Sequence, residues 1–333
     1  MTRNKLLTLI VAVCILAFAD SCHLKHKSIN DMALKAQRDA ILEKYFKVPH
    51  DEILQQISGN RLYTDLMEVY KTSLINLKNE TDNDCAKLVV VILTPEVGRS
   101  MTLANTYGIP FILKTCDNLG LDFVNLSDSL ASKDISQLTQ LPDEGGWTKA
   151  GASYVANQLA AIIMKYDTVR SSRKPIAGDK PHTFGDMRPN ENEIVDGDKN
   201  LPYHVKVNAD GLRMDNNLGF PKKKQRILIL GDGQIFNPFL DQEFIATTLL
   251  QKRFPDKEII NAAMMNYTMD DYESLYKEKA RYTEPDIVLV CTNGGDILDE
   301  YFTQRNHYSR QQKIYPGTDV EKSFYYHLYG DNN

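Results

Sequence analysis

The chain has 333 residues, 42% hydrophobic and 25% charged, with a formal net charge of −5. That composition suits one large globular domain or two small ones, and it gives no electrostatic reason to expect nucleic acid as a partner. Gly and Pro are not enriched and no repeat recurs at a fixed period, which argues against low-complexity and repeat architectures.

In chain order, the first feature is a targeting signal. Thr2 to Lys5 is a positive n-region, Leu6 to Ala19 an apolar h-region, and Ala17-Phe-Ala19 a small-x-small cleavage site. The apolar run is shorter than the roughly 20 residues a spanning helix needs, so the expectation is export, with residues 1–19 removed. Ala19-Asp-Ser-Cys22 loosely resembles a bacterial lipobox, although Asp20 fits it poorly. A lipoprotein anchored through Cys22 (signal 1–21) and a free periplasmic protein both stay open. Cys85, Cys116 and Cys291 match no metal spacing and read as small core or near-surface residues. No cofactor or metal is expected.

Residues 28–78 carry apolar side chains at i, i+3, i+4 spacings, which predicts helix. Lys87 to Thr94 is an uninterrupted apolar strand, 102–119 a helix, and 122–126 a third-rank short strand. An amphipathic helix follows Glu144-Gly-Gly-Trp-Thr-Lys-Ala-Gly151 and closes a first half at 28–167. Residues 168–205, rich in Lys, Asp, Asn, Pro and Gly, read as a linker or long surface connection. A second half, 206–300, opens with Asn208-Ala-Asp-Gly-Leu-Arg213. It then alternates strand (227–230), helix, strand (258–261), a helix capped by Thr268, and strand (285–290). Such alternation predicts a parallel sheet. The tail 301–333 shows no clear periodicity.

The stretch Arg226-Ile-Leu-Ile-Leu-Gly-Asp-Gly233 reads as a buried parallel strand running into a tight turn, and ligands sit beyond such strand ends. It resembles the first block of the SGNH (GDSL-type) esterases. Further blocks resemble that family: Asn-x-x-Gly before the strand, Ile260-Asn-Ala-Ala263, and Asn293-Gly-Gly-Asp296. Glu144 to Gly151 is similar to the family's Asp-x-His-Trp block. The blocks stand in swapped order, as in the circularly permuted SGNH domain of the alginate O-acetyltransferase type. The fold implied is α/β, a flavodoxin-like doubly wound parallel sheet of about five strands with helices on both faces. The strands at 258, 227, 286, 88 and 122 should then lie side by side.

Taken block by block, the resemblance puts Gly233 at the nucleophile, Gly146 at the histidine and Glu144 at the aspartate. It puts Gly295 at the asparagine oxyanion donor and Ala263 at the glycine donor. Acyl transfer needs a nucleophile, a base, an orienting group and oxyanion donors; only the Glu144 carboxylate and the Ala263 N–H would remain. Ser100, Asp232, His182 and His204 are the groups that could stand in. Asp232, Gln234, Asp143, Trp147, Asn293 and Asp296 are candidates for lining a binding cleft. Each also has an ordinary reading: turn glycines, a packing tryptophan, acidic caps, and in Lys222-Lys-Lys224 a solvated charge run. The expectation is an exported pseudoenzyme that binds a glycan or acylated envelope polymer, or supports a polysaccharide acetylation complex, with membrane contact only through a lipid anchor. The alternatives are an active carbohydrate esterase or O-acetyltransferase with relocated groups, and a structural envelope protein.

Overall fold

A computed structural model describes residues 61–93, 104–131, 133–139, 146–171, 179–196, 202–237 and 240–305, with scattered positions between 33 and 40. The signal segment, Cys22, Ser100, Asp143, Glu144 and the tail beyond 305 lie outside the described residues.

Three strands are buried on both faces, which is why their sequences are unbroken apolar runs: β1 (Lys87–Ile92), β5 (Gln225–Leu230) and β7 (Ile287–Thr292). With β2 (Asp122–Asn125) and β6 (Lys257–Asn261) at the edges they form one sheet in the order β2-β1-β7-β5-β6, every pair parallel. This is the predicted order. Counted from β5 through β6, β7, β1 and β2, and read from the β6 edge, it is 2-1-3-4-5, the flavodoxin-like doubly wound arrangement. The sheet is therefore the permuted topology that the swapped blocks imply.

Helix α1 (Arg61–Asn83) packs on one face through Leu62, Leu66, Val69 and Leu74, and α2 (Ile109–Asn118) lies beside it, entered by a π-turn at Ala104–Gly108. Short helices α3 (Ser127–Ala131) and α4 (Ile135–Leu138) lead to α5 (Lys149–Lys165). Thr148 caps α5 by accepting from Gly151 N at 3.1 Å. Beyond β5 come α6 (Gly233–Phe236) and α7 (Ala246–Arg253), and α7 packs against α5 on the opposite face. Helices α8 (Met269–Glu278) and α9 (Asp296–Arg305) join α1 on the first face. Thr268 begins α8 with a capping box completed by Asp271, as its sequence predicts. The outer edge of β6 is sealed by the Gln251 side chain of α7. Its Oε1 accepts from Ile259 N and its Nε2 donates to Lys257 O, both at 3.0 Å, so the amide stands in for a missing neighbouring strand.

The stretch read as a linker is folded where it is described. Strands β3 (Asn192–Asp196) and β4 (Pro202–Lys206) pair antiparallel. Phe184 N and Gly185 N bond to Asp210 O, Phe184 and Met187 are buried, and Asp186 accepts from Tyr267 OH at 2.7 Å. Part of its polar composition is spent on ion pairs, Lys180 with Glu284 and Asp186 with Lys279. The Lys222 to Lys224 run is likewise not wholly solvated: Lys222 Nζ donates to Asp286 Oδ1 and Glu284 O, both at 2.8 Å. Cys85, Cys116 and Cys291 are free thiols.

Candidate functional site at the strand ends

The carboxyl ends of β5, β6 and β7 and the turn before α5 meet at one edge of the sheet. Asp232 leaves β5 and caps α6, with Oδ1 accepting from Gln234 N at 2.9 Å; its Oδ2 accepts from Asn293 Nδ2 at 3.0 Å. The same Asn293 amide donates to Asp296 Oδ1 at 2.8 Å, while Asn293 Oδ1 accepts from Gly295 N at 2.6 Å. Asp296 Oδ2 accepts from Thr292 Oγ1 (2.9 Å) and Tyr272 OH (3.2 Å), and Thr292 is in turn bonded to Tyr70 OH. Trp147 Nε1 donates to Gln234 O at 2.7 Å, fastening the α5 approach to the β5 turn. Met264 N donates to Gly231 O and brings the segment after β6 to the same place. The segments at 146–147, 232–234, 263–265 and 293–296 thus converge, as a strand-end site requires.

Convergence does not make every expected residue a lining residue. Trp147 is fully buried, and Gln234, Asn293 and Asp296 are each under a tenth exposed. These four are corrected from ligand-facing candidates to the framework beneath the site, and Asp232, Gly233 and Gly295 remain partly open to solvent. Ala263 does not offer a free oxyanion donor, because its N–H is spent on Asn261 Oδ1 at 3.1 Å. Gly146 is buried. Among the described residues, neither His182 nor His204 hydrogen-bonds to any strand-end group. Both are exposed, and His204 lies in β4, where its N–H donates to Asp241 Oδ1.

The two glycines at the centre have specific surroundings. A Cβ at Gly233 would lie 3.1 Å from Met265 Sδ, so a thioether leans over the position where the resembled family has its serine. A Cβ at Gly295 would lie 2.6 Å from Asn293 Oδ1. Restoring an asparagine there displaces the Asn293 amide from its two carboxylates. The Gly233→Ser, Gly146→His, Gly295→Asn triple variant is accordingly expected to lose stability without gaining esterase activity. Gly295→Asn alone should cost about 1–3 kcal/mol, the range for breaking a buried hydrogen-bonded group, as read by urea unfolding.

The electrostatics single out the acid pair. Burial raises the Asp232 carboxyl from 3.8 to about 6, against the lowering pull of its bonds to Gln234 N and Asn293. Burial, followed by the charges of Asp232 and Asp299, pushes Asp296 well above the ordinary carboxylate range. Both carboxyls of the pair are thus biased toward the protonated form, Asp232 at the edge of the site and Asp296 beneath it. Burial likewise raises Tyr272 and Cys291. Among the described residues no group of His, Cys, Asp or Glu is arranged to hold a metal ion.

Sequence reasoning overlooked two residues here. Met265 carries no motif signal. Arg213 was visible as the last residue of Asn208-x-x-Gly-x-Arg, a turn held by Asn208 Oδ1 accepting from Asp210 N and Leu212 N and by Gly211 at φ +73°. It is fully buried and donates to Phe236 O, Asn237 O and Leu240 O, shaping the chain that leaves α6.

No family model matches the sequence, and no curated protein is similar to it. Among solved structures, the O-acetyltransferase domain of Pseudomonas putida AlgJ is similar at 14% identity, covering 74% of this chain and 92% of that one, with a TM-score of 0.43. The class of protein that the fold and site define is a permuted, doubly wound α/β domain with a strand-end acid pair.

Proposed function

We propose that the chain is an exported SGNH-like pseudoenzyme that binds a glycan or acylated envelope polymer at its strand-end turns. The observation that carries this reading is Gly233: the turn at the end of β5 has no nucleophile, and Met265 Sδ occupies the approach to where one would stand. A partly open Asp232 at the strand ends suits binding without acyl transfer. The apolar segment at 6–19 supports export, and Cys22 supports a lipid anchor. Expected results are no labelling by a fluorophosphonate, no hydrolysis of acetyl esters, and retention on acetylated polysaccharide. Robust fluorophosphonate labelling of the folded protein would overturn the pseudoenzyme reading.

One observation favours a second reading, an esterase or O-acetyltransferase with relocated groups. A carboxyl titrating near 6 is suited to general acid/base work. That reading requires acetyl-ester turnover with a pH inflection near 6 that disappears in Asp232→Asn.

A further inference from the structure

We propose that the cavity along the outer side of β6 binds an anionic sugar, a pyranose carrying a carboxylate or phosphate group. The cavity, about 520 Å³, lies between the 213–218 segment, α7 and β6. Its volume falls within the range of small-molecule sites, roughly 300–1,000 Å³. The inference stands independently of the strand-end reading.

The charge balance of its walls selects an anion. Both acids in the lining are neutralised from outside it: Asp215 by Lys206 at 3.2 Å, and Glu258 by Arg226 at 2.5 Å. Lys257 is matched by Asp167 and Asp256. Lys224 and Lys252 differ. Their ammonium groups rest on backbone carbonyls, Pro255 O at 2.7 Å and Glu243 O at 3.2 Å, and among the described residues no carboxylate pairs with either. Each keeps further N–H donors in a protein whose net charge is negative.

The lining also supplies hydrogen-bond donors. Thr247 Oγ1 accepts from Asn261 Nδ2 at 3.0 Å and Thr248 Oγ1 from Gln242 Nε2 at 3.3 Å, so each hydroxyl keeps its hydrogen, beside one lone pair, for a ligand. Asn217 Oδ1 accepts from Ala209 N at 2.9 Å, and its amide hydrogens are further donors. Met214, Leu218 and Ile259 supply an apolar wall suited to the C–H face of a sugar ring. A peptide strand is disfavoured, because the Gln251 amide already occupies the ladder positions at Lys257 O and Ile259 N.

The test is calorimetric titration of the full chain with glucose 6-phosphate and glucuronate, against glucose and inorganic phosphate. Both anionic sugars should bind, with glucose and phosphate each at least about tenfold weaker, because charge-assisted contacts and ring contacts are both needed. The Lys224→Gln, Lys252→Gln double variant should weaken binding by roughly tenfold or more. Lys223→Gln, which changes a lysine outside the lining, should bind as the parent does. Thr248→Val, which keeps the charge, should also weaken binding. Absence of binding by either anionic sugar, equal affinity for glucose or phosphate, or parental affinity in a folded double variant would each overturn the proposal.

Discussion

Arg213→Ala is expected to destabilise the domain by about 3–5 kcal/mol, the scale for stripping several buried acceptors of their donor. The guanidinium is fully buried, and its donors are divided among Gln242 Oε1 and the carbonyls of Phe236, Asn237, Leu240 and His204. Its plane also lies 4.6 Å from the Phe236 ring. Truncation leaves those carbonyls without their donor. Arg213→Lys should recover only a minor part of the loss, because a single ammonium cannot reach carbonyls on three segments at once. Urea unfolding gives the magnitude, and hydrogen exchange gives the location: protection at Phe236, Asn237 and Leu240 should fall before protection in β5. A loss under about 1 kcal/mol for the alanine variant would show that the buried fork is energetically idle.

The second large effect is a pH dependence. Asp232 and Asp296 both have carboxyl groups raised in the folded protein, so the folded state holds more protons than the unfolded chain. Stability contributed by the pair is therefore full when both are protonated, below about pH 4, the unfolded value. It declines as pH rises through Asp232's value of about 6, and the raised Asp296 carboxyl acts in the same direction. Asp296→Asn mimics the protonated acid. Its carbonyl can accept from Asn293, and its amide can donate to the Thr292 and Tyr272 oxygens, which become acceptors by rotating their hydrogens. The variant is expected to match the parent near pH 4 and to exceed it at pH 8. Unfolding free energies measured across that range check it. A parent-to-variant difference that does not change with pH would show that Asp296 is not the proton holder.

The variable legibility of the site follows from what each feature depends on. Strand burial is a local property: Ile227 to Leu230 and Leu88 to Ile92 are apolar on both faces because the sheet is covered on both faces. Thr268 acts within three residues of itself, so its cap was readable. The direction of a side chain at a strand end is not local. Trp147 and Gln234 are 87 residues apart in sequence, yet their bond decides that the tryptophan is framework and not a sugar platform. Asn293 is a second case. Its alignment neighbour Gly295 was expected to mark the oxyanion donor position, but the amide that spans Asp232 and Asp296 belongs to Asn293.

By itself the amino-acid sequence determined the five strands of the parallel sheet, and the resemblance of its blocks implied their order; β3 and β4, inside the stretch read as a linker, it did not mark. Only the tertiary structure decided what surrounds the turn after β5, with Met265 over Gly233, the Asn293 amide shared by two raised carboxyls, and the Ala263 N–H already taken. It also decided that unneutralised lysines line a cavity on the far side of β6. The physical reason is the same throughout: burial, and the partner each polar group finds, are set by segments distant in the chain that meet only when the sheet is assembled.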